Sequence, residues 1–319
     1  MQSKIIQAIK KGKTFLIVSH YHPDGDALGS TLALGLALKK LKKNVVMYNR
    51  DAVPFNLQFL PQVQQLTTEL PKQKFDYAIM VDCAQPKRIS TEFATAVAAG
   101  QFEKILCIDH HLLDQKAGDI DWIDPKAAST GCVIWNLLKK LKLHNSKEIA
   151  NLIYCTLTVD TGSFRYSNTT PGVFKLAAEL LERGADPWFV AMNLEETNPV
   201  QRYQLLALSL KSLQLLCDGQ YASMDVSQVM LKAVGAHDGL SDDFANYPRS
   251  IAGVEVSALF REMDDGKIKV SLRSKLKVDV SRLAKQFGGG GHKHAAGCVM
   301  PMALEEAKRR IKNALATVL

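Results

Sequence analysis

The sequence predicts an α/β fold in which an N-terminal parallel sheet has helices on both faces and is followed by a smaller α+β domain. Thr14–Val18 is a short, continuous run of apolar and β-branched residues, which is typical of a strand buried on both faces. The next segment, 26–41, carries apolar residues at helical spacing, and strand and helix patterns recur up to Gly184. Beyond residue 206 the pattern changes to alternating segments joined by hairpin turns, which indicates a second domain of another class.

Local signals place the other elements of the first domain. Apolar runs of strand length predict three more strands, at 44–48, 76–81 and 104–108. The proline-flanked segment 54–61 is predicted to be irregular. Ser90 or Thr91 is expected to cap a helix that ends at Gly100. Segments with apolar residues at helical spacing predict further helices at 129–143, 147–159 and 173–183.

The second domain begins after a helix that Asn198 and Pro199 are expected to open. Turn signals at 218–219 and 264–266 separate strand-like segments. The predicted elements are strands at 254–263, 267–274 and 298–300, a helix at 280–286 and a final helix from about 304. We therefore divide the chain into a first domain at 1–187, a linker helix at 188–205 and a second domain at 206–319.

Composition indicates a globular protein with an anionic partner. The chain has 319 residues, 47% of them hydrophobic, which is enough for about two domains with buried cores. Its apolar stretches are shorter than a secretory signal or the ~20 residues of a membrane helix, so we expect a cytoplasmic protein with no membrane partner. Six cysteines without CxxC spacing indicate reduced thiols. The net charge of +8 fits nucleotides or nucleic acid, although basic pairs on helix faces are usually only solvated.

Acidic and histidine side chains stand where the predicted strands and one predicted helix end. They are His20, Asp24, Asp26, Asp82, Asp109, His110, His111 and Asp160. The carboxyl ends of parallel strands share one edge of a sheet, where ligands bind, so we expect these residues to converge. Carboxylates buried together repel one another unless their pKa values rise or cations neutralise them. Carboxylates and imidazoles favour Mn²⁺, with Mg²⁺ as the alternative, and two ions bridged by Asp82 would lie ~3.5–4 Å apart.

Each of these residues also has an ordinary structural interpretation. A single aspartate at the end of a strand usually caps a helix, and Asp26 or Asp160 alone would be assigned that role. His110 and His111 alone fit a loop as well as a metal site. The metal interpretation depends on all of the residues meeting at one sheet edge.

A glycine run near the C-terminus predicts an anion-binding site. Glycine has no Cβ, so consecutive N–H groups can approach an anion closely and form a concave nest. The residues concerned are Gly288, Gly289, Gly290 and Gly291, with His292 as a further donor. The alternative is a flexible connector, which is the more usual role of such a run.

Three arginines are candidates for binding a phosphate. Arg261 and Arg273 flank the predicted turn at 264–266 and could clamp a phosphate from two strands. Arg165 follows Asp160 by five residues. The alternatives are a solvent-facing strand position for the first two and a surface ion pair for Arg165.

Four motifs resemble those of the DHH phosphoesterase superfamily, and their spacing also fits. They are His20-x-x-x-Asp24-x-Asp26, Val81-Asp82, Asp109-His110-His111 and Asp160-Thr161-Gly162. The tail at 288–297, GGGGHKHAAG, resembles the substrate-binding DHHA1 domain that accompanies the first DHH subfamily, so the resemblance covers nearly the whole chain. The chain length and the segment 164–169 look most like the bacterial oligoribonucleases, or nanoRNases, that also dephosphorylate 3′-phosphoadenosine 5′-phosphate (pAp).

The resemblance implies a role for each residue of the cluster. It divides them between two Mn²⁺ ions, with His20 and Asp24 on one, Asp26, His110 and Asp160 on the other, and Asp82 bridging. Asp109 would orient a histidine, and His111 would face the scissile phosphate or its leaving oxygen. The catalytic residues are then Asp82, Asp109 and His111.

The activity implied by the resemblance is hydrolysis of oligoribonucleotides of about two to five residues to mononucleotides, and of pAp to AMP. The partners are then short oligonucleotides and mononucleotide bisphosphates, and a homodimer is a further expectation. Alternatives are a phosphodiesterase for pApA or cyclic dinucleotides, a RecJ-like single-strand exonuclease and a manganese pyrophosphatase. A nucleotide-binding sensor without catalysis is the alternative from another class.

Overall fold

The apolar run Thr14–Val18 forms the first strand of a six-stranded parallel sheet in the computed structural model, which describes residues 2–113, 115–316 and 318–319. This sheet belongs to Met1–Thr197, the first of two units into which the chain divides. A second six-stranded sheet belongs to the other unit, Asn198–Leu319. The predicted linker, 188–205, comprises parts of two helices, one on each side of this division.

The N-terminal unit alternates strands and helices. Within the described residues its elements are α1 (Gln2–Lys11), β1 (Thr14–Val18), α2 (Gly25–Lys40), β2 (Asn44–Tyr48), β3 (Leu66–Thr67), β4 (Phe75–Val81), α3 (Pro86–Ile89), α4 (Thr91–Ala98), β5 (Phe102–Asp109), β6 (Ile120–Ile123), α5 (Thr130–Leu141), α6 (Lys147–Asp160), α7 (Pro171–Glu182) and α8 (Pro187–Glu195). Short 3₁₀ helices at Phe55–Leu57 and Val63–Gln65 lie in and beyond the predicted irregular link.

The strand order places a ligand-binding crevice beside β1. The order is β3-β2-β1-β4-β5-β6, and every pairing is parallel. The chain builds outwards from β1 to β3, then returns to the other side of β1 with β4. Ligands bind at such a reversal, outside the carboxyl ends of the strands.

Alternate side chains of the strands enter two different cores. Phe15 and Ile17 of β1 pack in a core formed mainly with α2, α5 and α6, whereas Leu16 and Val18 pack on the opposite face with α3 and α4. Both faces of the sheet are therefore covered by helices, as continuous apolar strands require. The predicted fold class is confirmed.

Several elements agree with the predicted bounds, and others were not predicted. β1 and β2 have the predicted residues, and the helix predicted at 129–143 begins one residue later because Ser129 caps it through the N–H of Cys132. α1, β3 and β6 were missed because each buries at most three side chains, which gives too weak a pattern.

The C-terminal unit is a mixed α+β fold, also as predicted. Its elements in the described chain are α9 (Val200–Lys211), β7 (Gln214–Leu216), β8 (Tyr221–Val226), α10 (Gln228–Val234), α11 (Asn246–Arg249), β9 (Val256–Glu262), β10 (Ile268–Ser274), α12 (Val280–Gln286), β11 (Gly290–His292), β12 (Ala295–Met300) and α13 (Leu304–Leu315). The sheet order is β11-β12-β10-β9-β8-β7, in which β8 and β9 pair parallel and the other neighbours antiparallel. No helix among the described residues is long and apolar enough to cross a membrane.

The contact of α2 with α6 requires glycine at position 29. A Cβ there would lie 2.7 Å from Cγ2 of Thr156 and 2.9 Å from the carbonyl oxygen of Leu152. We expect Gly29→Ala to destabilise the protein by about 1–3 kcal/mol, since α2 must move away from α6. Chemical denaturation would measure this change.

Gly172→Ala is the matched control, because it makes the same change in helix α7. The nearest atom to a Cβ at Gly172 is Oγ1 of Thr170, at an ordinary 3.5 Å. The control should be neutral or slightly stabilising, since alanine favours helix over glycine. Equal stability of the two variants would contradict the close contact.

Candidate metal centre

The predicted metal ligands meet at the carboxyl edge of the parallel sheet, where the strand order reverses. His20 follows β1, Asp82 follows β4, and Asp109, His110 and His111 lie at the end of β5 or directly after it. Asp24 and Asp26 lie at the start of α2, and Asp160 is the last residue of α6. All eight predicted residues therefore lie in one cluster, which we call the metal centre.

One group of candidate ligand atoms comes from His20, Asp24 and Asp82, within 4.8 Å of one another. Nε2 of His20 lies 3.5 Å from Oδ2 of Asp82. The other ring nitrogen of His20 lies 2.9 Å from the carbonyl oxygen of Tyr21, an arrangement that fixes the ring and leaves Nε2 to bind an ion.

A second group comes from Asp26, His110 and Asp160. Nε2 of His110 lies 3.3 Å from Oδ2 of Asp160 and 4.0 Å from Oδ2 of Asp26. Nδ1 of His110 lies 3.3 Å from the carbonyl oxygen of Ala127, so Nε2 is again the nitrogen that faces the carboxylates.

Asp82 lies between the two groups. Its Oδ2 faces His20, and its Oδ1 lies 3.8 Å from Nε2 of His110 and 3.5 Å from Nδ1 of His111. Asp82 has a left-handed backbone (φ 54°), which is uncommon for a residue other than glycine and costs about 1–3 kcal/mol. The strained residue is thus the one whose two carboxylate oxygens face the two different groups of candidate ligands.

Asp109 pairs with His111 rather than with the other histidines. Its Oδ1 lies 2.7 Å from Nδ1 of His111 and also accepts the backbone N–H of His111 at 2.9 Å. Burial alone would raise the pKa of Asp109, but these bonds and the charge of His111 hold it below its ordinary value. Asp109 is therefore an ionised carboxylate that orients the ring of His111. With His110 and Asp82 these two residues form a third group of candidate ligand atoms.

Three carboxylates of the centre, those of Asp26, Asp82 and Asp160, are destabilised as anions. Burial, and then the charge of Asp24, raise the pKa of Asp26 to about 6. Burial and the neighbouring aspartates also raise the pKa of Asp82 and Asp160 well above the ordinary value. Such a cluster attracts cations, so the donor set fits divalent metal ions.

Sequence reasoning missed the groups that hold these ligands in place. Thr130 and Gly131 donate their backbone N–H groups to Asp26 at 2.7 and 3.0 Å, and the hydroxyl of Thr130 donates to Oδ1 of Asp82 at 2.9 Å. Asn49, which follows β2, donates its amide to the hydroxyl of Ser19 and the carbonyl of His20. Their positions in the sequence were the one available signal, because Thr130 and Asn49 each lie where a helix or strand meets the carboxyl edge of the sheet.

Arg165 lies in a strained turn just after Asp160. The backbone is left-handed at Gly162, Ser163 and Phe164, and Nε of Arg165 donates to the carbonyl oxygen of Gly162 at 2.6 Å. The side chain of Arg165 is thus tied to the turn that follows the second ligand group.

The two arginines of the C-terminal unit do not stand opposite each other. In the antiparallel pairing, Arg261 faces Lys269 and Arg273 faces Ser257. Arg261 is 11% exposed and donates to the carbonyl oxygen of Asp238 and the hydroxyl of Ser241. The clamp of a phosphate by Arg261 and Arg273 stays a prediction. Lys269, which sequence reasoning missed, shares a sheet face with both arginines.

The glycine run is not a loop throughout, which corrects the expected nest. Gly290–His292 form edge strand β11, paired with β12. A Cβ at Gly289 would lie 2.1 Å from the carbonyl oxygen of Gly297, and one at Gly291 would lie 2.6 Å from that of Ala295. These glycines are needed for close strand pairing. Gly288 precedes the strand in a left-handed turn (φ 72°).

β10, β11 and β12 share a face of small and basic residues, which we call the basic face. The register places on it Lys269, Ser271, Arg273, Gly290, His292, Ala295 and Gly297, together with the apolar Val299 opposite Lys269. The side chains that alternate with them pack in the core on the other side. A Cβ at Gly290 would meet no atom within 4 Å, so the backbone there is open to close approach by a ligand.

Each of the two units matches a known protein family. Residues 14–157 match the DHH family, N-terminal domain, and residues 225–318 match the DHHA1 domain. The bifunctional oligoribonuclease and PAP phosphatase NrnA of Thermus thermophilus is 32% identical over 94% of this chain and 88% of its own length. The protein of the same name from Bacillus subtilis is 28% identical over 93% of this chain and 92% of its own length.

A solved structure is also similar to this chain over nearly its full length. An exopolyphosphatase-related protein from Bacteroides fragilis has a TM-score of 0.92 and 29% identity, with 99% of this chain and 95% of that chain covered. Sequence and structure thus agree along nearly the full length of the chain. The chain belongs to the DHH family of phosphoesterases, which are hydrolases, and it carries a DHHA1 domain.

Proposed function

We propose that this protein is a Mn²⁺-dependent phosphoesterase that hydrolyses short oligoribonucleotides to mononucleotides and pAp to AMP. The observation that carries the proposal is the pair of ligand groups that face each other across Asp82. Two adjacent metal sites sharing a carboxylate are typical of enzymes that cleave phosphate esters. The named activity of the relatives supports this substrate class.

The metal proposal assigns the two ligand groups to two ions. His20 and Asp24 would hold one ion, and the group of Asp26, His110 and Asp160 would hold the other. Asp82 would contribute one oxygen to each. The groups offer carboxylate oxygens and imidazole nitrogens without a thiolate, which favours Mn²⁺, with Mg²⁺ as the alternative.

In the proposed reaction, Asp109 orients the ring of His111, and His111 exchanges a proton with the substrate. When bound, the metals would supply Lewis-acid charge and lower the pKa of water for attack on phosphorus. Asp109 holds Nδ1 of His111 at 2.7 Å, which fixes the orientation of the ring, and an imidazole so held can exchange a proton with a substrate. The side chain of His111 is 32% exposed, so a substrate oxygen can reach it. We assign His111 to the phosphate or the leaving oxygen.

Substrate binding is proposed for the basic face and for Arg165. Burial, and then the charge of Arg261, lower the pKa of Lys269, and Arg273 adds to this repulsion, whereas the carboxylates of Asp242 and Asp238 offset part of it. A phosphate would relieve that repulsion. Gly288, Gly289 and Gly291 would act by shaping β11, and Gly290 and His292 by contacting the ligand. Arg261 would hold the segment 238–242 in place.

Two further parts of the proposal concern the whole molecule. We propose a cytoplasmic location, as the sequence predicts, and a homodimer. Helix α7 exposes Phe174 and Leu181 seven residues apart, which places both on one helical face. Light scattering on the purified protein would determine the oligomeric state.

Removal of metal should change how stability depends on pH. The pKa of Asp26 rises from 3.8 to about 6 in the folded protein, so the folded state binds more protons than the unfolded state between these values. The stability of the metal-free protein should therefore fall as the pH rises from about 4 through about 6. Carboxyls whose pKa is lowered, such as Asp109 and Asp76, lose their contribution only below about pH 4.

Thermal melting with and without chelator would check this expectation. Mn²⁺ should raise the melting temperature most at about pH 7.5, where protons no longer compete for the ligands. A metal-free protein that melts at the same temperature at about pH 5 and 7.5, with no shift on adding Mn²⁺, would contradict the two-ion proposal.

A substrate panel would test the activity. With Mn²⁺, we expect pAp and oligoribonucleotides of about two to five residues to be hydrolysed, and 24-residue strands to be poor substrates. Asp82→Asn should lower turnover by about 10³-fold or more, because the shared charge is lost. Glu103→Gln, the same change at the exposed start of β5, should be neutral.

Other outcomes of the panel would support other functions. Preferred cleavage of pApA or a cyclic dinucleotide would indicate a signalling phosphodiesterase, and efficient cleavage of long strands would indicate an exonuclease. Pyrophosphate hydrolysis alone would indicate a pyrophosphatase. Binding of pAp without turnover would indicate a sensor and would overturn the enzymatic proposal.

Arg273→Ala tests the basic face separately. Loss of a charged hydrogen bond to phosphate should raise KM for pAp about tenfold and leave kcat nearly unchanged. Arg309→Ala is the control, because Arg309 is exposed on α13 and pairs with Glu306. An unchanged KM in Arg273→Ala would exclude this residue from substrate binding.

A further inference from the structure

Thr130 donates hydrogen bonds to Asp26 at the start of α2 and to Asp82, which directly follows β4. Its backbone N–H donates to Oδ2 of Asp26 at 2.7 Å, and its hydroxyl donates to Oδ1 of Asp82 at 2.9 Å. We propose that Thr130 is a positioning residue that sets the orientation of Asp82 and thereby allows this carboxylate to serve two metal ions. The inference rests on the proposed two-ion function.

The hydroxyl of Thr130 determines which way each oxygen of Asp82 faces. A hydroxyl has one proton to give, and here Oδ1 of Asp82 accepts it. With Oδ1 held on that side, beside His110 and His111, Oδ2 is directed towards His20. The side chain of Asp82 is 3% exposed, so water is poorly placed to substitute for this donor.

The backbone of Thr130 fixes the neighbouring ligand at the same time. Asp26 is fully buried, and it accepts N–H groups from Thr130 and Gly131 and the hydroxyl of Ser30. These donors hold both oxygens of Asp26 in place. One residue therefore links Asp26, proposed for the second ion, to Asp82, proposed for both.

A purely structural role does not explain the hydroxyl. The cap of α5 is Ser129, whose Oγ accepts the N–H of Cys132 and also contacts Oγ1 of Thr156. Helix α5 therefore begins correctly without the hydroxyl of Thr130. The hydroxyl donates instead to the carboxylate of Asp82, a proposed metal ligand.

The experiment compares Thr130→Val with Thr130→Ser and Thr31→Val. Valine keeps the shape and the backbone N–H but removes the hydroxyl, whereas serine keeps the hydroxyl. Thr31→Val is the matched control, because Thr31 is fully buried on α2 and its hydroxyl has no hydrogen-bond partner among the described residues. Metal-free forms of each protein are titrated calorimetrically with Mn²⁺ alone, and thermal melting is recorded with and without Mn²⁺.

Thr130→Val should bind Mn²⁺ about 10–100-fold more weakly than the wild type, as is typical when a partner of a metal ligand is lost. The increase in melting temperature that Mn²⁺ causes should shrink in this variant, should be largely restored in Thr130→Ser and should be unchanged in Thr31→Val. A packing role would instead lower the melting temperature equally with and without metal.

The inference is overturned if Thr130→Val binds Mn²⁺ like the wild type, or if its melting temperature falls equally in both conditions. Should this variant fail to fold, Thr130→Ala is measured against Thr130→Ser with the same two criteria. Failure of the wild type itself to bind two Mn²⁺ ions would count against the proposed function, so the two failures are distinguishable.

Discussion

Repulsion among buried carboxylates is the constraint on which the N-terminal unit depends. Asp26, Asp82 and Asp109 are at most 3% exposed, so water cannot stabilise their charge. A fold tolerates such a cluster only when donors and cations replace the lost hydration. The donors here come from the start of α5 and from the histidines that follow β5. Bound metal ions would offset the charge that these donors leave uncompensated.

The same constraint explains why the surrounding backbone is strained and tightly packed. Asp82 is left-handed, and its N–H donates to the carbonyl oxygen of Ile108, which keeps the strained residue attached to the sheet. A Cβ at Gly131 would lie 1.9 Å from Oγ1 of Thr156, so α5 reaches α6 only because position 131 is glycine. That close approach brings the N–H groups of α5 to Asp26. The packing of α5 against α6 thus determines the geometry of the candidate ligand Asp26.

The sequence was sufficient to predict the structure of segments that is determined by residues nearby in the chain. Thr14–Val18 was predictable because a continuous apolar run of that length has few other structures, and convergence of the strand ends followed from parallel pairing. Thr130 was not recognised, because its partners are Asp26 and Asp82, more than 40 residues away. The glycine run was misjudged for a similar reason. Its need for small residues arises from pairing with Gly297 and Ala295, and a local sequence pattern does not show that partner.

Charge also sets the order in which ligands can bind. The metal-free centre is a cluster of acidic groups, and an incoming phosphate would add negative charge to it at neutral pH. Cations must therefore occupy the centre before a phosphate ester can be held there. The proposed basic face has the opposite property, since the positive charges of Lys269 and Arg273 would attract a phosphate without any metal. In the proposed function, nucleotide binding at the basic face would therefore be independent of metal, whereas cleavage would require the centre to be filled first.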